Sequence, residues 1–188
     1  MTYFKFQPDI HGIYGIADYP SMPNNISFVA GQVIAHSLSE PLVFTVTNPP
    51  DCPPKHLLGS MIPVASRQFV EALRAAHVSN MQTFPAVLHN IETGQKWHDY
   101  LALNIVGLLD GADMRASVYD TIIGGDALPP LVSFSELVLA RASVENHLVF
   151  RIVQSPSEMF MAGSVRDEQI ARKPREGWGV TTTEVTLR

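Results

Sequence analysis

The sequence predicts an α+β fold with a mainly antiparallel or mixed sheet and a few short helices. Runs of β-branched and aromatic residues bounded by Asn, Gly and Pro outnumber stretches of helical period. No regular strand–helix–strand alternation calls for an all-parallel sheet. Of 188 residues 46% are apolar, enough for a sizeable core, and the length suits one domain with at most a small extension.

In chain order, Tyr3–Phe6 reads as a short strand and Gly12 to Asn25, rich in Gly, Pro and Asn, as loop. Ile26–His36 is apolar without a clean period, so helix and strand both stay open. Leu42–Thr47 (LVFTVT) reads as a strand. Asn48–His56 then carries prolines at 49, 50, 53 and 54, which forbid helix and remove ladder donors. The chain therefore divides into an irregular N-terminal region, 1–47, a Pro-rich connector, 48–56, and an α+β domain, 57–188. Within the last, Ser66 can cap a helix to about His77, with Phe69, Val70 and Leu73 on one stripe. Thr83–Asn90, Tyr100–Val106, Leu131–Ala140 and His147–Val153 are strand-like, and Asp113–Ile122 reads as a short helix ended by Gly124-Gly125. Ser164-Val165-Arg166-Asp167 fits a capping box for a helix that must stop before Pro174, and Val180–Leu187 reads as a last strand.

Charge is sparse and uneven. Thirteen Lys+Arg face eighteen Asp+Glu, a net −5, and charged residues make up 16% against about 25% in ordinary soluble domains. Part of the surface must be covered by uncharged or apolar groups, a first hint of a partner. Residues 92–145 hold eight acids, Glu92, Asp99, Asp110, Asp113, Asp120, Asp126, Glu136 and Glu145, against three bases, so the whole imbalance sits there. This segment is either a solvated face or a docking surface for a cationic partner. An overall negative chain disfavours direct nucleic-acid binding. The apolar stretches are about ten residues long, short of the ~20 that span a bilayer, so no membrane association is expected. Met1–Ile10 is interrupted by Gln7, Pro8 and Asp9 and does not read as a signal peptide, and the lone Cys52 forms no internal disulfide. A soluble, cytoplasmic protein is the expectation, with its oligomeric state left open.

Motifs for chemistry are scarce. There is no G-x-S-x-G, P-loop or G-x-G-x-x-G. Seven histidines lack zinc-protease spacing, and Asp110-x-x-Asp113 with Asp120 and Asp126 lacks the alternating ligands, central Gly and terminal Glu of a calcium loop. Cys52 has no local base to make it a nucleophile. No catalytic residue, cofactor or metal is therefore assigned. A metal-dependent or small-molecule enzyme using His89, His98 and nearby acids is the alternative function.

Over residues 59–183 an ordered series of short motifs resembles a bacterial immunity domain, long catalogued as a domain of unknown function and associated with polymorphic-toxin and contact-dependent or type VI secretion loci. These are Ile62-Pro63-Val64-Ala65-Ser66, Phe84-Pro85, Tyr100-Leu101-Ala102-Leu103-Asn104-Ile105, Asp110 with Ser117, Leu137-Val138-Leu139, Val149-Phe150-Arg151-Ile152 and the unit Phe160–Gly179. The resemblance implies a non-enzyme that neutralises a cognate toxin domain, in many cases a predicted nuclease. An acidic surface can enter a basic nuclease cleft as a phosphate mimic. Candidate toxin-binding residues are Asp99, Asp110, Asp113, Asp120 and Asp126, with Trp97 or Tyr100 as aromatic anchor. Pro63 and Ser66 set a strand-to-helix turn, Asn104 satisfies backbone groups, and Arg151 is expected to pair with a carboxylate such as Asp110.

Overall fold

A computed structural model of the chain describes residues 1–9, 15–38, 40–49, 52–123 and 130–188. The first strands are β1 (Tyr3–Pro8), β2 (Gly15–Asp18) and β3 (Leu42–Thr47). After the prolines come β4 (Leu57–Leu58), β5 (Val64–Ser66), α1 (Arg67–Ala75), β6 (Met81–His89) and β7 (Lys96–Ile105). Then follow β8 (Leu108–Leu109), β9 (Val118–Ile123), β10 (Leu131–Glu136), β11 (Val138–Leu139) and α2 (Arg141–Val144). The chain ends with β12 (Val149–Ile152), β13 (Ser155–Ala162), α3 (Gly163–Ala171) and β14 (Val180–Leu187). The fold is α+β. One sheet has the order β11-β14-β1-β13-β12-β8, a second β2-β3-β6-β7-β5-β4, and β9 and β10 form a separate hairpin. Both large sheets are mixed: β11/β14, β12/β8 and β3/β6 run parallel, and the other pairs antiparallel.

Alternation along β7 explains how the two sheets share the interior. Leu101, Leu103 and Ile105 enter one core with α1 and the first sheet, whereas Tyr100 and Ala102 enter a second core with Phe44, Val46 and Leu88. Successive strand residues point to opposite faces, so a strand buried on both sides reads as the near-continuous apolar run YLALNI. Helix α1 buries Phe69, Val70, Ala72 and Leu73 on the side of the first core. It starts where the sequence places it, because Ser66 Oγ accepts from the Phe69 N–H at 3.2 Å.

The region before the prolines is woven into both sheets. β1 lies between β13 and β14, with Tyr3 opposite both Ala162 and Val185, and β3 pairs with β6. The stretch 26–36, open between helix and strand by pattern, is neither: it lies as irregular cover, and Phe28, Ile26 and Ile34 join the second core. Its backbone is satisfied by side chains. The Gln82 amide accepts from Ile34 N–H at 2.8 Å and donates back to Ile34 C=O at 3.2 Å, and Asn104 Nδ2 donates to Gln32 C=O at 2.7 Å. Side-chain amides thus take the place of a missing strand ladder. The proline connector is pinned in the same way, with Tyr100 Oη donating to Pro54 C=O and Asn90 Nδ2 to Asn48 C=O.

Two local expectations are corrected. Asp113–Ile122 is not a helix. Asp113 Oδ1 accepts from the N–H groups of Arg115 and Ala116, which closes a turn, and the β-branched run that follows becomes β9. Its proposed stop, Gly124-Gly125, lies outside the described residues. Ser164 does not cap α3: the helix begins at Gly163 with Ala162 as N-cap and no side-chain cap bond. The Gly163 N–H instead donates to Thr2 C=O, so the helix start is fixed from β1's end of the chain.

Ser66 Oγ also meets His56 Nδ1 at 2.7 Å. Ser66→Ala is expected to destabilise the fold by about 1 kcal/mol, seen as a lower urea midpoint with unchanged m.

Candidate functional site

Three of the acids, Asp110, Asp113 and Asp120, follow one another from the end of β8 into the hairpin. Asp110 is exposed, and its Oδ1 accepts from Gln154 Nε2 in the β12–β13 turn. Asp113 is half-buried as the cap of its turn, and its own N–H donates to Val138 C=O. Ser117 Oγ accepts from Val138 N–H at 2.9 Å, so residues 113–117 are laced to β11. Asp120 follows on β9, exposed, opposite Ser133 of β10. Asp126 lies outside the described residues.

The hairpin that carries Asp120 is unusual in its surface. Every residue of β9 is exposed, and Val118, Ile122 and Ile123 are 54%, 65% and 62% accessible. One edge of β9 pairs with β10, and among the described residues no strand pairs with the other. The packing falls to β10: Val132, opposite Thr121, is buried and its N–H donates to Gln154 C=O, and Phe134 lies against the first core and edge-on to Tyr119, with centroids 6.0 Å apart. An open edge with exposed β-branched side chains is a pairing hazard unless a partner covers it. Charge counting finds the acids of this segment but not these apolar residues; the run Val118-Tyr119-Asp120-Thr121-Ile122-Ile123 carried the strand signal that would have found them.

The remaining candidates sit on the other sheet. Asp99, near the start of β7, is exposed and forms a 3.0 Å ion pair with Arg67 at the start of α1; both are more than half accessible, so the pair contributes little to stability. Trp97 is half-buried against the second core. Tyr100 is 7% exposed with its hydroxyl bonded to the connector, so it faces the interior and presents no aromatic anchor to a partner. The structure thus separates the acids into a group on the β8–β9 segment and Asp99 on β7.

Arg151 does not pair with Asp110. Its guanidinium is fully buried and donates from one Nη to Pro156 C=O at 2.6 Å, while Nε and the other Nη have no partner. Asp110 is engaged by Gln154 instead. Burial pushes the Arg151 pKa down to about 10. No group of three or more His, Cys, Asp or Glu among the described residues is placed to hold a metal ion, and His89 and His98 lie apart in register on β6 and β7, half-buried and exposed. Among the described residues no helix is long and apolar enough to cross a membrane.

Two measurements follow from these buried groups. Arg151→Met removes a buried charge with incomplete hydrogen bonding and is expected to raise stability by about 1–2 kcal/mol in urea melts at neutral pH. Burial holds the Tyr100 hydroxyl well above its usual range, with Asp99 adding to the shift. The unfolded tyrosine ionises first, so its stabilisation is complete below about pH 10 and is lost as pH rises beyond it. Tyr100→Phe should therefore cost about 1 kcal/mol at pH 8, and its gap to the parent protein should close by pH 11.

No protein-family model matches the chain, and no curated protein matches it.

Proposed function

We propose that this chain is an immunity protein, binding a secreted bacterial toxin domain in the cytoplasm and holding it inactive through the β9–β10 arm and the acidic turn before it. One observation carries the reading: a strand edge unpaired among the described residues bears Val118, Ile122 and Ile123 exposed beside Asp120, with Asp110 and Asp113 immediately upstream. The two kinds of group do different work. An open edge accepts a strand or extended loop of a partner, and the apolar side chains along it supply affinity as they leave water. The carboxylates select a cationic partner and speed its encounter. A toxin domain acting on nucleic acid, such as a nuclease, presents a basic cleft in which these carboxylates can take the place of phosphates. The motif series over residues 59–183 and the charge imbalance of residues 92–145 support the same reading. In this reading the chain performs no chemistry of its own and needs no cofactor.

The test uses the polypeptide encoded beside this gene. Its association rate should fall about tenfold or more between about 50 and about 500 mM salt. Asp120→Lys should slow association to a similar extent, and Ile122→Asp should mainly speed dissociation. Both positions are exposed, so circular dichroism should be unchanged; Asp113 is a poorer choice because it closes its turn. A salt-independent rate would remove the acidic contribution. A neighbouring gene without a toxin domain, or full protection by both variants, sinks the reading.

A further inference from the structure

A second site, unlike the arm in chemistry, lies where α3, the Gly177–Gly179 loop and the start of β14 meet. It is a half-open cleft of about 350 Å³, within the range that holds small ligands. Its apolar wall is Phe69, Met161 and Trp178, all buried. Trp178 is fixed edge-on to Phe69, and its Nε1 donates to Gln169 C=O at 2.7 Å. Gly179 shapes the entrance: it has φ +65°, and a Cβ there would meet the Lys55 side chain at 2.8 Å.

The polar groups of this cleft are incompletely used. Gln169 is 4% exposed, and neither its amide oxygen nor its amide nitrogen has a hydrogen-bond partner. A buried unsatisfied donor or acceptor costs roughly 1–3 kcal/mol, and one amide carries both. Arg166, on the same helix, lies over the Phe4 ring at 4.4 Å, with only a long 3.4 Å contact from Nε to Thr182 Oγ1. Lys173 is exposed and without a side-chain partner among the described residues. Across the rim stands Glu176, exposed and 3.5 Å from His56.

We propose that this cleft binds an adenine mononucleotide, the base against Trp178, Phe69 and Met161 with its edge on the Gln169 amide, and the phosphate at Arg166 and Lys173. Each part answers one unmet requirement. An unpaired primary amide needs an acceptor and a donor side by side, which the N7 and N6 edge of adenine supplies. A bare anion leaves the amide oxygen unpaired, and a hydrocarbon leaves both atoms so. The two cations bind the phosphate, and Glu176 is a suitable acceptor for sugar hydroxyls. The site is independent of the toxin-binding arm, so either can fail without the other.

The protein has two tryptophans, so Trp97→Phe leaves Trp178 as the sole indole reporter. Titration of that variant with AMP should change Trp178 emission saturably, with adenosine weaker and inorganic phosphate weakest. Calorimetry on the parent protein should give the same order. Gln169→Leu should weaken AMP about tenfold or more, while the unliganded protein becomes more resistant to urea. Lys173→Glu, at an exposed position, should weaken AMP about fivefold or more and leave adenosine unchanged. Absence of saturation below about 10 mM AMP, phosphate binding as tight as AMP, or unchanged AMP affinity in Gln169→Leu would each overturn the proposal.

Discussion

Strand β7 is the member on which the rest of the structure depends, because its two faces serve two cores at once. Leu101, Leu103 and Ile105 must meet α1 and the first sheet while Tyr100 and Ala102 meet the second core. Sliding β7 by one residue against β6 or β5 would exchange these sets and put every apolar side chain on the wrong side. Its register is therefore held from both directions, by β6 along nearly its whole length and by β5 at Tyr100–Ala102. The link between the sheets is also tied at its far end, where Asn80 Nδ2 donates to Val106 C=O after β7 and to Val149 C=O on β12, each at 2.8 Å.

The side-chain amides of this protein fall into two groups, and the contrast bears on function. Gln82, Asn80 and Asn90 are each joined to backbone that no strand could reach, so they complete the fold. Asn104 belongs with them through its donor, which bonds Gln32 C=O and Gln82 Oε1. Gln169 completes nothing with its side chain, although it is buried where Gln82 and Asn80 are only half-buried. These four find long-range partners, with only the Asn104 oxygen among them buried and unpaired, so an amide idle at both atoms beside a cleft is informative. Arg151 is another buried group with unused donors, and a stability cost is its direct consequence.

Much of the local structure was legible because it is encoded locally. Val43, Phe44 and Val46 mark β3, Ser66 with Phe69, Val70 and Leu73 marks α1 and its start, and Val180–Leu187 marks β14. The helix read into 113–122 failed where two local signals competed: Asp113 favours a helix start and a turn equally well, and the branched residues after it decided for the strand. The cover at 26–36 has no period because its partners, Gln82 and Asn104, lie some fifty and seventy residues onward. The candidate site was legible only in part. Charge counting located Asp110, Asp113 and Asp120, but exposure separated them from Tyr100, whose strand position is interior. Gln169 does carry a sequence signal, since it follows Val165 by four residues and so falls on the same buried helix face.

The position of β1 has a consequence for how the chain comes together in time. Tyr3 is hydrogen-bonded into a strand pair with Ala162 on one side and Val185 on the other, so the middle of the first sheet is made long before either of its neighbours. Until β13 and β14 emerge during synthesis, Tyr3 and Phe6 have no sheet to enter and both edges of β1 stay open to other chains. Closing such distant pairs is entropically slow, whereas β3, β6 and β7 are near enough in sequence to assemble first. The second sheet is thus the natural nucleus, and the first sheet, with α3 and the nucleotide cleft built on it, is the last part of the molecule to acquire its shape.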